Sequence, residues 1–112
     1  MKAFNLSILI IAMTLVSFVI AAENKGAKEF NIEASYQGNV FFPHSKHQEK
    51  LGDCNICHVL FKKQSGIIKE MKQKGELNPK QVMKTQCIDC HKTKSKAGEA
   101  AGPTTCNACH KK

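Results

Sequence analysis

Three pentapeptides in the chain share the pattern Cys-X-X-Cys-His: Cys54-Asn55-Ile56-Cys57-His58, Cys87-Ile88-Asp89-Cys90-His91 and Cys106-Asn107-Ala108-Cys109-His110. Two thiols at that spacing can add to the two vinyl groups of one porphyrin, and the histidine that follows is carried under the iron as an axial ligand. The three copies use all six cysteines and leave none over. The pattern points to three covalent c-type haems. Cys54, Cys57, Cys87, Cys90, Cys106 and Cys109 are the thioether positions, and His58, His91 and His110 are the proximal iron ligands.

Plainer readings of the same residues compete. Paired Cys-X-X-Cys units build zinc knuckles and ribbons, but that use leaves the trailing histidine of every unit without a role. A disulfide framework suits a small secreted domain, yet it does not require His after each second Cys. A thioredoxin-like redox site needs one such unit on a βα element, not three.

The histidine count sharpens the haem reading. Of five histidines, His58, His91 and His110 sit in the motifs, which leaves His44 and His47 as sixth ligands for two of the irons. The third iron has no histidine left. Methionine is the next common axial ligand, and Met83 and Met71 are the candidates. Met83 lies four residues before Cys87 on an expected helix. A Met on a helix also serves as a core filler, and an open or lysine-ligated third iron is the remaining alternative.

The surrounding chain must bring these side chains together. Residues 1–22 read as a secretory signal peptide: Met1-Lys2 is positive, Ala3 to Ile20 is largely apolar, and Ala21-Ala22 offers small residues for cleavage. A retained anchor is the alternative, because the apolar run approaches the roughly 18 residues needed to span a bilayer. Residues 23–112 then form one small domain, too short to stand on a side-chain core alone. There is no Trp, and Tyr36 is the single tyrosine. Porphyrins would supply the missing apolar bulk, so the haem-free chain is expected to be largely unfolded. Lys+Arg number 17 against nine acidic residues. Haem propionates would offset most of that surplus, and the rest would steer anionic or redox partners. Arginine is absent and the lysines are scattered, which argues against nucleic acid.

Residues 23–29 read as a loose polar N-terminus. Alternating apolar residues at Phe30, Ile32, Ala34 and Tyr36, then Val40 and Phe41, predict a two-stranded hairpin turning at Gln37-Gly38-Asn39. Pro43 and Gly52 bracket a helix that carries His44 and His47 on one face. Asp53 can cap the helix of the first motif. Lys62 to Gly66 reads as a loop, Ile67 to Lys74 as a short helix ended by Gly75, and Asn78-Pro79 as the start of a helix leading to Cys87. Lys92 to Gly102 reads as a loop, and Pro103-Thr104-Thr105 opens the last motif.

From Val40 onward the chain resembles the triheme c7-type cytochromes of the cytochrome c3 superfamily. The resemblance rests on Val40-Phe41-Phe42-Pro43-His44-Ser45-Lys46-His47-Gln48, on the three motifs, and on the ending from Gly102 to Lys112. It implies a small multihaem fold: an N-terminal two-stranded antiparallel hairpin and a few short helices around closely packed haems. It also implies that His44 completes the first haem with His58, and that His47 reaches the second haem opposite His91. In the family the third haem, on His110, is normally completed by a His four residues before the second motif. That position is Met83 here, and the spacer at 62–86 is longer than usual.

The expected activity is electron transfer without bond-making at the protein, in the periplasm and in anaerobic respiration. Two bis-imidazole haems would be low in potential and a Met-ligated third higher. The expected partners are inner-membrane quinol-oxidising cytochromes and outer-membrane or terminal reductases. No nucleic acid, stable membrane insertion or self-association is expected. A small haem enzyme or a ligand sensor, using an open position on the third iron, is the rival class.

Overall fold

The computed structural model describes residues 23–34 and 36–112. The signal peptide expected at residues 1–22 lies outside the described residues. Strands β1 (Phe30–Ile32) and β2 (Asn39–Phe42) form the hairpin, antiparallel with Phe30 opposite Phe42 and Ile32 opposite Val40. Gly38 makes the turn at φ 88°. A Cβ there would collide with the carbonyl of Lys111, so glycine is required both by backbone conformation and by close approach.

Sequence patterning predicts two strands, and the structure adds a third. β3 (His110–Lys111) pairs antiparallel with β2, closing a sheet of order β1-β2-β3. Val40 lies between Ile32 on one side and His110 on the other. Side chains alternate across a strand, so Phe30, Ile32, Val40, Phe42 and His110 share one face. Phe41, on the other face, is 50% exposed. A two-residue strand carries too little periodicity to be read from sequence.

Helix α1 (His44–Leu51) follows directly, with Pro43 at its N-cap and Gly52 ending it at φ 69°. α2 (Asn55–His58) is the helix of the first motif. Asp53 caps it as expected, its carboxylate accepting the N–H of Asn55 at 2.9 Å. α3 (Ile67–Gln73) is the short spacer helix, and Gly75 follows at φ 73°. At Asn78 the side chain of Gln81 accepts the Asn78 N–H at 3.2 Å, half of a capping box.

One expectation for the following stretch is refined and another corrected. The run into Cys87 is helical, but Val82–Ile88 is a π-helix, not an α-helix. The helix also does not stop at His91: α4 (Asp89–Lys96) continues it through what reads as a loop. Lys92, Lys94 and Lys96 are good helix formers, Lys94 pairs with Glu99 at 2.8 Å, and the positive φ of Gly98 provides the stop. α5 (Cys106–Cys109) carries the last motif into β3.

Very little apolar surface is buried. Among the described residues the buried hydrophobic side chains are Phe61, 8% exposed, and Leu77, 4% exposed. Two such side chains would contribute on the order of 3–6 kcal/mol. The conformational entropy of this many residues is far larger.

Candidate haem-binding site

Each histidine is held in the same way. The Nδ1 of His44 lies 2.7 Å from the carbonyl of Ala27, that of His47 2.9 Å from Pro43, that of His58 2.8 Å from Phe61, that of His91 2.7 Å from Pro103, and that of His110 2.8 Å from Gly38. A carbonyl can only accept, so Nδ1 carries the proton in all five rings and Nε2 keeps its lone pair. Fixing one ring nitrogen this way selects the tautomer and orientation of a metal-binding imidazole and raises its basicity.

The structure pairs four of these rings. His44 and His58 have ring centres 6.1 Å apart with planes at 85°. His47 and His91 are 6.2 Å apart with planes at 26°. With a metal–nitrogen bond of about 2 Å on each side and each ring centre about 1 Å further out, two imidazoles sharing one iron would stand roughly 6 Å apart. Both pairs have the separation of a shared iron.

Packing adds to the hydrogen bonds at three of the rings, those of His44, His47 and His91. Phe42 stacks on His47 at 4.3 Å, and Phe30 and Phe42 lie 5.9 and 6.1 Å from His44. One face of the hairpin therefore braces the histidine-bearing side of α1. Gly102 sits against His91: a Cβ there would come within 2.5 Å of the ring's Cε1 and 2.9 Å of Nε2. Gly102 and the carbonyl of Pro103 thus clamp that imidazole.

The six cysteines are not joined to one another in the structure. Among the described residues no three His, Cys, Asp or Glu side chains converge as a bare metal ion would need. The thiols of different motifs do influence one another. Burial, with Cys109, Cys57 and Cys90 nearby, pushes the Cys87 thiol up to about 11. Burial and then Cys90 raise Cys57. One or more thiols of all three motifs thus lie within electrostatic reach of Cys87. Apolar groups in and beside the first motif stay exposed, Ile56 at 48% and Val59 at 84%. Oriented imidazoles, convergent thiol pairs and a nearly absent core all fit haem. Met83 is half-buried in the π-helix, and Met71 is half-buried in α3.

The sequence profile of the class III cytochrome C family matches residues 18–110. The chain belongs to that family. Within this class III cytochrome the c7 type is specifically indicated. The chain is 35% identical over 103 residues to cytochrome c7 of Geobacter metallireducens, covering 92% of this chain and 97% of that one. It is 36% identical over 74 residues to cytochrome c3 of Desulfuromonas acetoxidans, covering 66% and 84%. The solved structure of PpcB, a cytochrome c7 from Geobacter sulfurreducens, aligns with a TM-score of 0.53 at 31% identity, over 77% of this cytochrome and all of that chain. This class III cytochrome is accordingly a multihaem electron-transfer protein with covalently bound c-type haem, and it acts on redox partners.

Proposed function

We propose that this cytochrome is a periplasmic carrier with three c-type haems, held at Cys54/Cys57, Cys87/Cys90 and Cys106/Cys109. His44 and His58 ligate the first iron, His47 and His91 the second, and His110 with Met83 the third. Residues 1–22 direct export and are removed with it, leaving 23–112 as one triheme domain. Among the described residues no helix is long and apolar enough to cross a membrane.

The observation that carries the reading is the common Nδ1–carbonyl bond of all five histidines, together with the two ring pairs at 6.1 and 6.2 Å. Bound haem supplies reversible one-electron chemistry. The protein's own part is to hold each Nε2 on a fixed axis, to exclude water, and to set local charge. Unmatched lysines favour acidic faces on its partners, for which quinol-oxidising cytochromes of the inner membrane and terminal or outer-membrane reductases are the proposed candidates. The setting is anaerobic respiration.

Whole-protein mass of the secreted form tests cleavage and haem number together. A chain beginning at Glu23 with three haems is expected; a colourless or zinc-bearing product would sink the reading. A ferric near-infrared band of methionine–iron bonding is expected for the third haem. A high-spin spectrum with rapid carbon monoxide binding would instead favour catalysis or sensing at an open iron.

A further inference from the structure

The polar segment before the hairpin, expected to be loose, is tied to α1 at three points. Its Ala27 carbonyl accepts Nδ1–H of His44 at 2.7 Å. Its Lys28 carbonyl accepts the N–H of Ser45 at 2.8 Å. Its Lys25 carbonyl accepts the side-chain N–H of Gln48 at 2.7 Å. The Ser45 bond satisfies one of the orphan donors of a helix start that Pro43 leaves without a side-chain cap. Gly26 shapes the crossing. Its φ is 76°, and a Cβ there would stand 3.6 Å from Cε1 of His44.

We propose that residues 25–28 are a positioning strap for His44, setting the orientation and donor strength of that imidazole from outside every Cys-X-X-Cys-His motif; the proposal rests on His44 being an iron ligand. The other four histidines take their carbonyls from parts of the chain fixed for other reasons. Pro43 precedes the same helix, Phe61 is buried, Pro103 leads into the last motif, and Gly38 is the hairpin turn. His44 instead depends on a stretch with no helix or strand of its own. Gln48 is the side chain that fastens that stretch.

The physical effect has two parts. The carbonyl draws on Nδ1–H and makes Nε2 a stronger donor, which favours ferric over ferrous iron. The same bond resists rotation of the ring, and so holds its plane at 85° to that of His58. Loosening the strap therefore raises the potential of the first haem and lets its imidazole planes drift from the perpendicular, while the second pair is untouched.

The test uses the secreted holoprotein with Gln48→Leu, which removes the donor, and Gly26→Val, which strains the crossing. His44→Ala is the parallel arm. Mass and optical spectra confirm full haem attachment, and redox titration and low-temperature electron paramagnetic resonance are then recorded. The expected result for both strap variants is one potential raised and one ferric low-spin signal moved, with the other haems unchanged. If both variants match wild type in potential and signal, the strap is wrong, and His44→Ala still reports on ligation by itself. One haem turned high-spin in His44→Ala keeps the ligand assignment standing. All haems remaining low-spin there would remove the assignment and the strap with it.

Discussion

The ring of His44 stands almost at right angles to that of His58, at 85°, while His47 and His91 lie nearly parallel at 26°. Crossed axial imidazoles leave the iron orbitals closer in energy than parallel ones do, and give a ferric low-spin signal with a larger maximum g value. On the proposed ligation, the oxidised protein shows two distinct bis-imidazole signals by electron paramagnetic resonance. His44→Ala removes the one with larger g, and His47→Ala removes the other. A single bis-imidazole signal would contradict the two geometries.

Met83→His should leave three low-spin haems, erase the methionine–iron near-infrared band and lower one potential, because imidazole stabilises ferric iron better than a thioether does. Met71→Leu serves as the control and should change neither band nor potential. Loss of the band in the Met71 variant would transfer the ligand role to α3.

Gly102→Ala drives a methyl group against the imidazole of His91. The ring or the segment must shift, at a cost of about 1–3 kcal/mol. The expected result is a lower melting temperature for the holoprotein together with a disturbed signal from the parallel pair. A normal melt and spectrum would show that the clamp yields freely.

Glu70 accepts from Lys74 at 2.6 Å, and that bond followed by the charge of Lys74 holds its carboxyl below the usual 4.5. A carboxylate lowered in the folded state stabilises above 4.5 and loses that contribution as pH falls through its folded value. Both side chains are solvated, so the effect is small and weakened by salt. Glu70→Gln should melt slightly earlier than wild type at neutral pH and identically in strong acid, measured by thermal scans at low ionic strength.

Chemical cleavage of the thioethers and removal of haem should abolish the far-ultraviolet helical signal and the cooperative melt. Phe61 and Leu77 are the buried hydrophobic side chains among the described residues, too few to hold a fold. A haem-free chain that still melts cooperatively would refute the view that haem replaces the core.

What sequence revealed and what it hid divide along physical lines. The motifs, the helix between Pro43 and Gly52, and the Asp53 cap were legible, because each depends on local chemistry at fixed spacing. The third strand was not, since two residues carry no pattern and His110 joins the sheet only through tertiary pairing. The role of residues 25–28 was hidden for a related reason. Backbone carbonyls do the holding, and a carbonyl is the same on every residue. The extension of α4 past His91 is not legible, because a run of Lys, Ser and Thr without apolar periodicity suits a loop as well as a solvated helix. The π-helical stretch before Cys87 has no composition that distinguishes it from an α-helix.

The bond from His110 to Gly38 joins positions 72 apart. The ring of His110 and the Gly38 carbonyl therefore fasten the last motif to the hairpin turn, a closure made between elements far apart in the chain. Clipping the tail at His110 would leave β2 with an open edge and would undo that closure while sparing both earlier attachment points.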